Sequence, residues 1–261
     1  MHPALYVSKT GLSAQDMALT TISNNLANAS TVGFKRDEVV FQDLLYQVKR
    51  EPGGLNSQNS QLPSGLQLGT GVRIEGTTKQ FTKGPLEVTD QALDIAVNGR
   101  GFFQVLLPDG STTYTRDGQF QINSDGEMVT AGGNLLQPAI TIPDNAASVT
   151  IGEDGIVSAS LRDATGVTQI GQITTVDFIN PQGLKAIGNN LFRETEASGN
   201  PQAGTPGIGG FGEVKQGMLE QSNVETVKEL VDMITVQRAY EMNSKVVSTA
   251  DQMLQYIGQN L

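Results

Sequence analysis

From Val224 to Gly258 apolar residues recur with no proline and no internal glycine. Val224, Val227, Val231 and Ile234 fall on one helical face, and past Arg238 the stripe continues through Ala239, Met242, Val246, Ala250, Met253 and Ile257. The spacing predicts one helix on the order of 50 Å long at about 1.5 Å per residue, with Asn223 as its N-cap and Gly258 at its stop. Leu230, Val236, Val247 and Leu254 widen the stripe toward a second side, which predicts more than one neighbour. A second helical stretch between Pro3 and Asn28 places Leu5, Leu12, Leu19 and Leu26 at intervals of seven, with Ser8, Gln15 and Ile22 at the intermediate seam positions. Two amphipathic helices at opposite ends of the chain, with no similar helix between them, predict a paired terminal stem.

Between the helices the pattern changes twice. Val39, Val40, Phe41, Leu44, Leu45 and Val48 form a short amphipathic element, and residues 51–70 then turn to Gly, Ser, Asn, Gln and Pro with isolated leucines at 55, 62, 66 and 68. Such a run inside a compact domain is unusual: it is a flexible linker or an ordered arm whose leucines find pockets elsewhere, and the alternation Leu66-Gln67-Leu68 favours partial order. From Gly71 the period becomes two. Short apolar runs, including residues 93–97, 102–107, 112–115, 120–122, 128–130 and 156–158, are separated by Asp109-Gly110, Asp117-Gly118, Asp125-Gly126 and Asp154-Gly155, which read as hairpin turns. The predicted fold is mixed α and β. Long N- and C-terminal helices pair as a coiled-coil-like stem, joined to an extended arm and a central all-β domain of short antiparallel strands. The boundaries are 1–36 for the first helix and its closing turn, 37–71 for the arm, 72–220 for the β domain and 221–261 for the last helix.

Composition narrows the chemistry. Among 261 residues there is no cysteine or tryptophan and one histidine, His2, so a disulfide framework is excluded and a usual zinc site nearly so. Of the formal charge of −10, residues 1–85 carry eight basic against six acidic side chains, residues 86–222 six against sixteen, and the remainder three against five. The acidic middle argues against nucleic-acid binding there. There is neither a long apolar run able to span a membrane nor a recognisable cleavable leader.

The candidate chemical motifs are weak. Asp117, Asn123, Asp125 and Glu127 lack the EF-hand arrangement and read as turn residues. Gly99-Arg100-Gly101 lacks the helix and lysine of a phosphate loop. Glu194 with Glu196, and Glu153 with Asp154, read as solvated acids, and Arg100 and Arg116 as partners of carboxylates. No catalytic or metal-binding constellation is expected, and no cofactor. A helix pair apolar on more than one side predicts instead a chain that assembles with copies of itself, through unlike surfaces that need not close into a ring.

Several segments resemble the bacterial flagellar rod, hook and basal-body family. They are Ser23-Asn24-Asn25-Leu26-Ala27-Asn28 with Thr31-Val32-Gly33-Phe34-Lys35-Arg36, then Gly101-Phe102-Phe103, Tyr114-Thr115-Arg116-Asp117-Gly118 and Gly132-Gly133. Near the C-terminus they are Ser222-Asn223-Val224, Glu229-Leu230-Val231, Ile234 and Gln237-Arg238-Ala239-Tyr240-Glu241. The terminal signatures are shared across that family. Phe41-Gln42-Asp43-Leu44-Leu45-Tyr46 leading to the segment 62–73 resembles an addition that the hook protein lacks, which implies a straight, stiff rod in place of a bendable hook. The resemblance implies a tube of identical subunits enclosing an export channel and transmitting torque. It also implies proximal rod proteins, hook protein, P-ring and L-ring proteins and the flagellar type III export apparatus as partners, and a place in the basal body across the periplasm, reached without a cleaved signal. In that architecture Leu5, Leu12, Leu19, Leu26, Val231, Ile234, Met242, Val246 and Met253 pack in the inner helical layer. Asn25, Asn28, Gly33 and Phe34 form the signature junction, and Leu62, Leu66 and Leu68 brace adjacent subunits. The alternatives are a hook or proximal-rod subunit, a secreted β-rich binding or adhesive module on a helical stalk, and, weakest, an enzyme.

Overall fold

A computed structural model describes the chain apart from residues 1–2, 52–54, 58–59, 62–63, 163–165 and 260–261. The chain divides into two compact units. A helical unit takes Met1–Ala27, Asp37–Thr78 and Glu225–Leu261, and a β unit takes Asn28–Arg36 and Lys79–Val224. The fold is mixed α and β, with a helix toward each terminus and antiparallel strands between them, as the hydrophobic pattern predicts.

In the helical unit, α1 runs Pro3–Ala27 and α2 runs Thr226–Gln259. Pro3 occupies the first helical position, where a missing N–H leaves no bond unmade. Threonines inside both helices turn their hydroxyls back on the preceding turn: Thr20 Oγ1 donates to Asp16 O at 3.0 Å, Thr235 to Val231 O at 2.9 Å and Thr249 to Lys245 O at 2.8 Å. Gly258 is the penultimate residue of α2 as described. The helices run antiparallel, since Asn25 Nδ2 donates to Glu229 Oε2 at 3.3 Å and Asn243 Nδ2 to Gln15 Oε1 at 3.1 Å. Gly11 faces Asn243 so closely that a Cβ would stand 3.1 Å from its amide nitrogen. The side chains buried in α1 are Ser8, Ala14, Thr21 and Asn25, and those in α2 are Glu229 and Ala250.

The segment expected as an extended arm doubles back on itself. Asp37–Asp43 pairs with Val72–Lys79. Further out, Gln47–Arg50 pairs antiparallel with Leu66–Leu68, with Gln47 opposite Leu68 and Arg50 opposite Leu66, and Leu55–Ser57 pairs with Ser60–Gln61. The paired residues of this polar run thus find backbone partners in its own return strand.

The β unit is antiparallel throughout its described pairings. Strand Phe102–Leu106 lies inside the largest sheet, bonded to Thr112–Thr115 on one side and to Leu135–Gln137 and Thr175–Asp177 on the other. Its alternation sends Phe103 and Val105 into one core with Ile95, Leu136, Val157 and Val214, and Phe102 into a second with Tyr114, Val176, Phe178 and Phe192. Aromatic edges meet faces there, with Tyr114 and Phe178 centroids 4.8 Å apart and Phe81 and Phe102 5.4 Å apart. Ala146–Ile151, Ile156–Leu161 and Val167–Gln172 form a separate three-stranded sheet.

Three of the four Asp-Gly pairs close hairpins with glycine at φ near +80°, at Gly110, Gly126 and Gly155, whereas Asp117-Gly118 joins Thr112–Thr115 to Phe120–Ile122, which do not pair, and is not the hairpin turn expected. Gly118 serves a different need: a Cβ on it would fall 1.6 Å from Ile95 O, whose own N–H donates to Gly118 O at 3.0 Å. In the Asp125 turn, Asn123 Oδ1 accepts from the N–H groups of Asp125 and Glu127 at 2.9 and 2.8 Å, so the side chain is committed to its own turn.

Candidate assembly interface

Among the described residues, the fully buried side chains of the two helices are small or polar, and the larger apolar residues are half-buried or exposed. Val231 is 57% exposed, Ile234 51%, Met242 64%, Val246 47% and Met253 58%. Leu5, Leu12, Leu19 and Leu26 are half-buried. The seven-residue leucine spacing therefore marks a half-buried stripe, while the fully buried side chains of α1 include the small ones Ser8, Ala14 and Thr21. Asn25 is enclosed as well, at 1% exposure. Its Nδ2 donates to Asp37 O and its Oδ1 accepts from Asp37 N, each at 2.9 Å, so the carboxamide continues the first arm strand as a backbone would.

Most arm residues whose burial is described are exposed. Leu45 is 90% exposed, and Phe41, Tyr46, Val48, Leu66 and Leu68 are also open to solvent. Leu62 lies outside the described residues. Tyr6, Gln42, Leu44, Leu45, Tyr46 and Arg73 line an open groove at the base of the arm, where Arg73 bonds to Gln42 and, at 3.1 Å, to Glu75.

The signature turn is anchored within the β unit. Asn28 Oδ1 accepts from Thr31 Oγ1 at 3.2 Å. Gly33, at φ +68°, lies directly on the chain at Arg116 and Asp117, where a Cβ would stand 2.8 Å from backbone atoms. Its N–H donates to Glu220 O at 2.7 Å. Phe34 is half-buried, with Lys79 Nζ 5.4 Å from its ring centroid. The enclosed residue is its neighbour. Lys35 Nζ donates to Glu220 Oε1 at 2.6 Å and to Thr82 O at 2.8 Å.

Glu220 is itself shared. Its Oε2 accepts from Arg116 Nη1 at 3.2 Å and its Oε1 also accepts from Gly84 N at 2.9 Å, while Arg116 Nη2 donates to Gly99 O at 2.8 Å. The guanidinium carbon stands 5.0 Å from the Phe102 ring centroid. All three charged side chains are buried. Burial holds Lys35 below the ordinary lysine range, with Glu220 opposing, and does the same to Arg116. Asn223, expected as an N-cap, closes the arrangement instead: its Oδ1 accepts from Arg36 N at 2.8 Å, and its Nδ2 donates to Gln80 O at 2.7 Å and Thr82 Oγ1 at 2.8 Å.

The expectation that Arg100 and Arg116 pair with carboxylates is met by Asp177, 2.8 Å from Arg100, and by Glu220. Sequence reasoning missed Glu220 and the burial of Lys35. The one available signal is an acid in an otherwise apolar strand, Met218-Leu219-Glu220, and nothing local links it to position 35. Among the described residues no three His, Cys, Asp or Glu side chains converge as a metal site, and no helix is long and apolar enough to cross a membrane.

Residues 5–35 match the family described as "Flagella basal body rod protein", residues 96–159 the "Flagellar hook protein FlgE/F/G D1 domain", and residues 215–260 the "Flagellar basal body rod FlgEFG protein C-terminal". The flagellar basal-body rod protein FlgG of Buchnera aphidicola subsp. Schizaphis graminum is 52% identical over 259 residues, covering 99% of this chain and 100% of its own. FlgG of Caulobacter vibrioides is 47% identical over 257 residues, covering 98% of each chain. The rod protein FlgF of the same bacterium is 35% identical over 254 residues, covering 95% of this chain and 93% of its own. With its signature turn, its two terminal helices and its β unit all matched, the chain belongs to the flagellar basal-body rod protein family and is a structural subunit of the rod.

Proposed function

We propose that the chain is the subunit of the distal rod and polymerises into a rigid hollow tube that encloses an export channel and transmits torque toward the hook. The observation that carries this reading is the apolar face of α2, left at about half exposure or more while the fully buried side chains of the two helices are small or polar. Burying a Val, Ile or Met side chain contributes about 1.5–3 kcal/mol, so Val231, Ile234, Met242, Val246 and Met253 hold most of their adhesive capacity in reserve for another surface. A second copy of the same chain supplies one in an open helical assembly.

In this reading α1 and α2 pair as a coiled-coil-like stem in the inner layer, with Leu5, Leu12, Leu19 and Leu26 meeting neighbouring stems. Asn25, Asn28, Gly33 and Phe34 form the junction where the signature turn leaves α1. The arm, residues 37–71, braces adjacent subunits through Leu62, Leu66 and Leu68. Higher identity to FlgG than to FlgF of one bacterium supports the distal position over the proximal one. The partners are identical subunits, proximal rod proteins, hook protein and the P-ring and L-ring proteins. Delivery is by the flagellar type III export apparatus, without signal cleavage, to a rod crossing the periplasm.

High-resolution imaging of intact basal bodies containing this subunit tests the reading. The expected result is Val231, Ile234 and Met242 buried against other copies around a central channel. Helices bathed in solvent, or folded wholly within one subunit, would overturn it.

A further inference from the structure

The chain passes between its two units after Ala27, Arg36, Thr78 and Val224. Three of these passages adjoin the residues laced around Glu220, and the fourth opens the short segment Asn28–Arg36 that carries Lys35. Whatever force reaches the β unit along the polypeptide therefore enters at Asn28, Arg36, Lys79 or Val224, the ends of the unit's two segments, and is met first by residues 28–36, 79–84 and 220–224. Those three segments are tied to one another by bonds that run across them. Gly33 N to Glu220 O and Arg36 N to Asn223 Oδ1 join the first to the third; Gln80 N to Arg36 O, at 2.8 Å, joins the second to the first; Gly84 N to Glu220 Oε1 joins the second to the third. Lys35, bonded to both Thr82 and Glu220, reaches all three.

Stability alone gives a poor reason for three buried charges, because well-packed apolar side chains of similar volume commonly do as well or better. Resistance to a pull gives a better one. Charge-assisted hydrogen bonds are short and directional, and separating their partners in a buried setting strands charge away from water. We propose that Lys35, Arg116 and Glu220 form a force-carrying clasp that locks the entry and exit segments of the β unit against each other in shear. Lys35 and Glu220 bear the pull, and Arg116, fixed by Gly99 O and Val97 O, ties the carboxylate to the sheet behind. The proposal rests on the reading of the subunit as a transmitter of torque.

Because the chain has no cysteine, paired thiol handles can be introduced uniquely into the full chain. Ala27→Cys with Glu225→Cys pulls through the clasp, and Asp125→Cys with Lys185→Cys, both exposed, pulls the β unit along another axis. Single-molecule unfolding is then compared for Glu220→Gln and for Val157→Ala, a cavity in the other core, away from the Phe102 ring that Arg116 covers. Glu220→Gln is expected to lower the unfolding force about twofold more through the clasp than along the other axis, whereas Val157→Ala lowers both in the same proportion. Should Glu220→Gln not fold, Lys35→Met, which keeps a neutral Glu220–Arg116 pair, is read in the same way. An equal fall along both axes, or none along the clasp axis, overturns the proposal. The tethered chain is unassembled, so that failure leaves the rod reading standing, and failure of the rod reading shows in the basal-body images.

Discussion

Deleting the carboxylate of Glu220 and deleting the ammonium of Lys35 are unequal perturbations. Glu220→Gln leaves two buried cations without their shared counter-ion, and we expect it to destabilise the β unit by about 3–5 kcal/mol. Lys35→Met removes the bonds to Glu220 Oε1 and Thr82 O but leaves one carboxylate with one guanidinium, a smaller loss of about 1.5–3 kcal/mol. Urea unfolding of the full chain measures both, and equal costs would show that Arg116 does not share the carboxylate. The depressed Lys35 also gives a sign to pH dependence. Between its lowered folded value and the ordinary 10.5, the unfolded chain binds the proton more tightly, so stability rises with pH across that window and is flat below it. Lys35→Met should abolish that rise. Tyr114, raised by burial and by its bond to Glu194, acts oppositely from about pH 10 upward, so the comparison belongs below that point. None of this was legible around Lys35 in the sequence, where a cation after a helix reads as a favourable end charge. Its partner is 185 positions away. Asn223 misled for a similar reason: an Asn before an apolar helical run has the local form of a cap, and only the fold shows its amide committed to Arg36 and Gln80.

At the level of elements, exposure decides what a substitution can reveal. Val231→Ala, Ile234→Ala and Met242→Ala alter side chains that the lone subunit leaves at least half open, so each should change its stability by less than about 0.5 kcal/mol. Combined, they should prevent rod growth in cells. A large loss of monomer stability would instead place that face inside the subunit. The arm gives a second test. Deleting residues 56–68 removes the outer ladder but not the pairing of Asp37–Asp43 with Val72–Lys79, so the chain should still fold, with rods that are less straight or stiff in electron micrographs. Unchanged rods would remove the bracing role. Both helices were readable because their period persists for many turns, and the hairpin turns because Asp-Gly is a local code. Which side chains of α1 are fully buried was not. Leucines at intervals of seven outweigh Ser8, Ala14 and Thr21 in any hydrophobic count, yet the small residues are the enclosed ones. The doubled-back arm was only partly legible: the alternation Leu66-Gln67-Leu68 signals order, but nothing in it names Gln47–Arg50 as the strand it pairs with.

At the scale of the whole molecule, the division into two units predicts two unfolding events. The helical unit is joined by few large buried side chains, whereas the β unit holds two aromatic and aliphatic cores. Calorimetry of the purified full chain should resolve a weak early transition from a later cooperative one. Tyr114 is the one tyrosine of the β unit, and its environment should change only in the second; a single transition seen by every probe would join the units into one cooperative block. A last consequence follows from where Lys35 and Glu220 stand along the polypeptide. The β unit cannot be finished by a partial chain, because one half of its innermost ion pair comes early and the other only some forty residues before the C-terminus. On the export route proposed above, a subunit threaded end-first reaches its final shape only after most of its length has arrived, which would set the timing of folding by delivery.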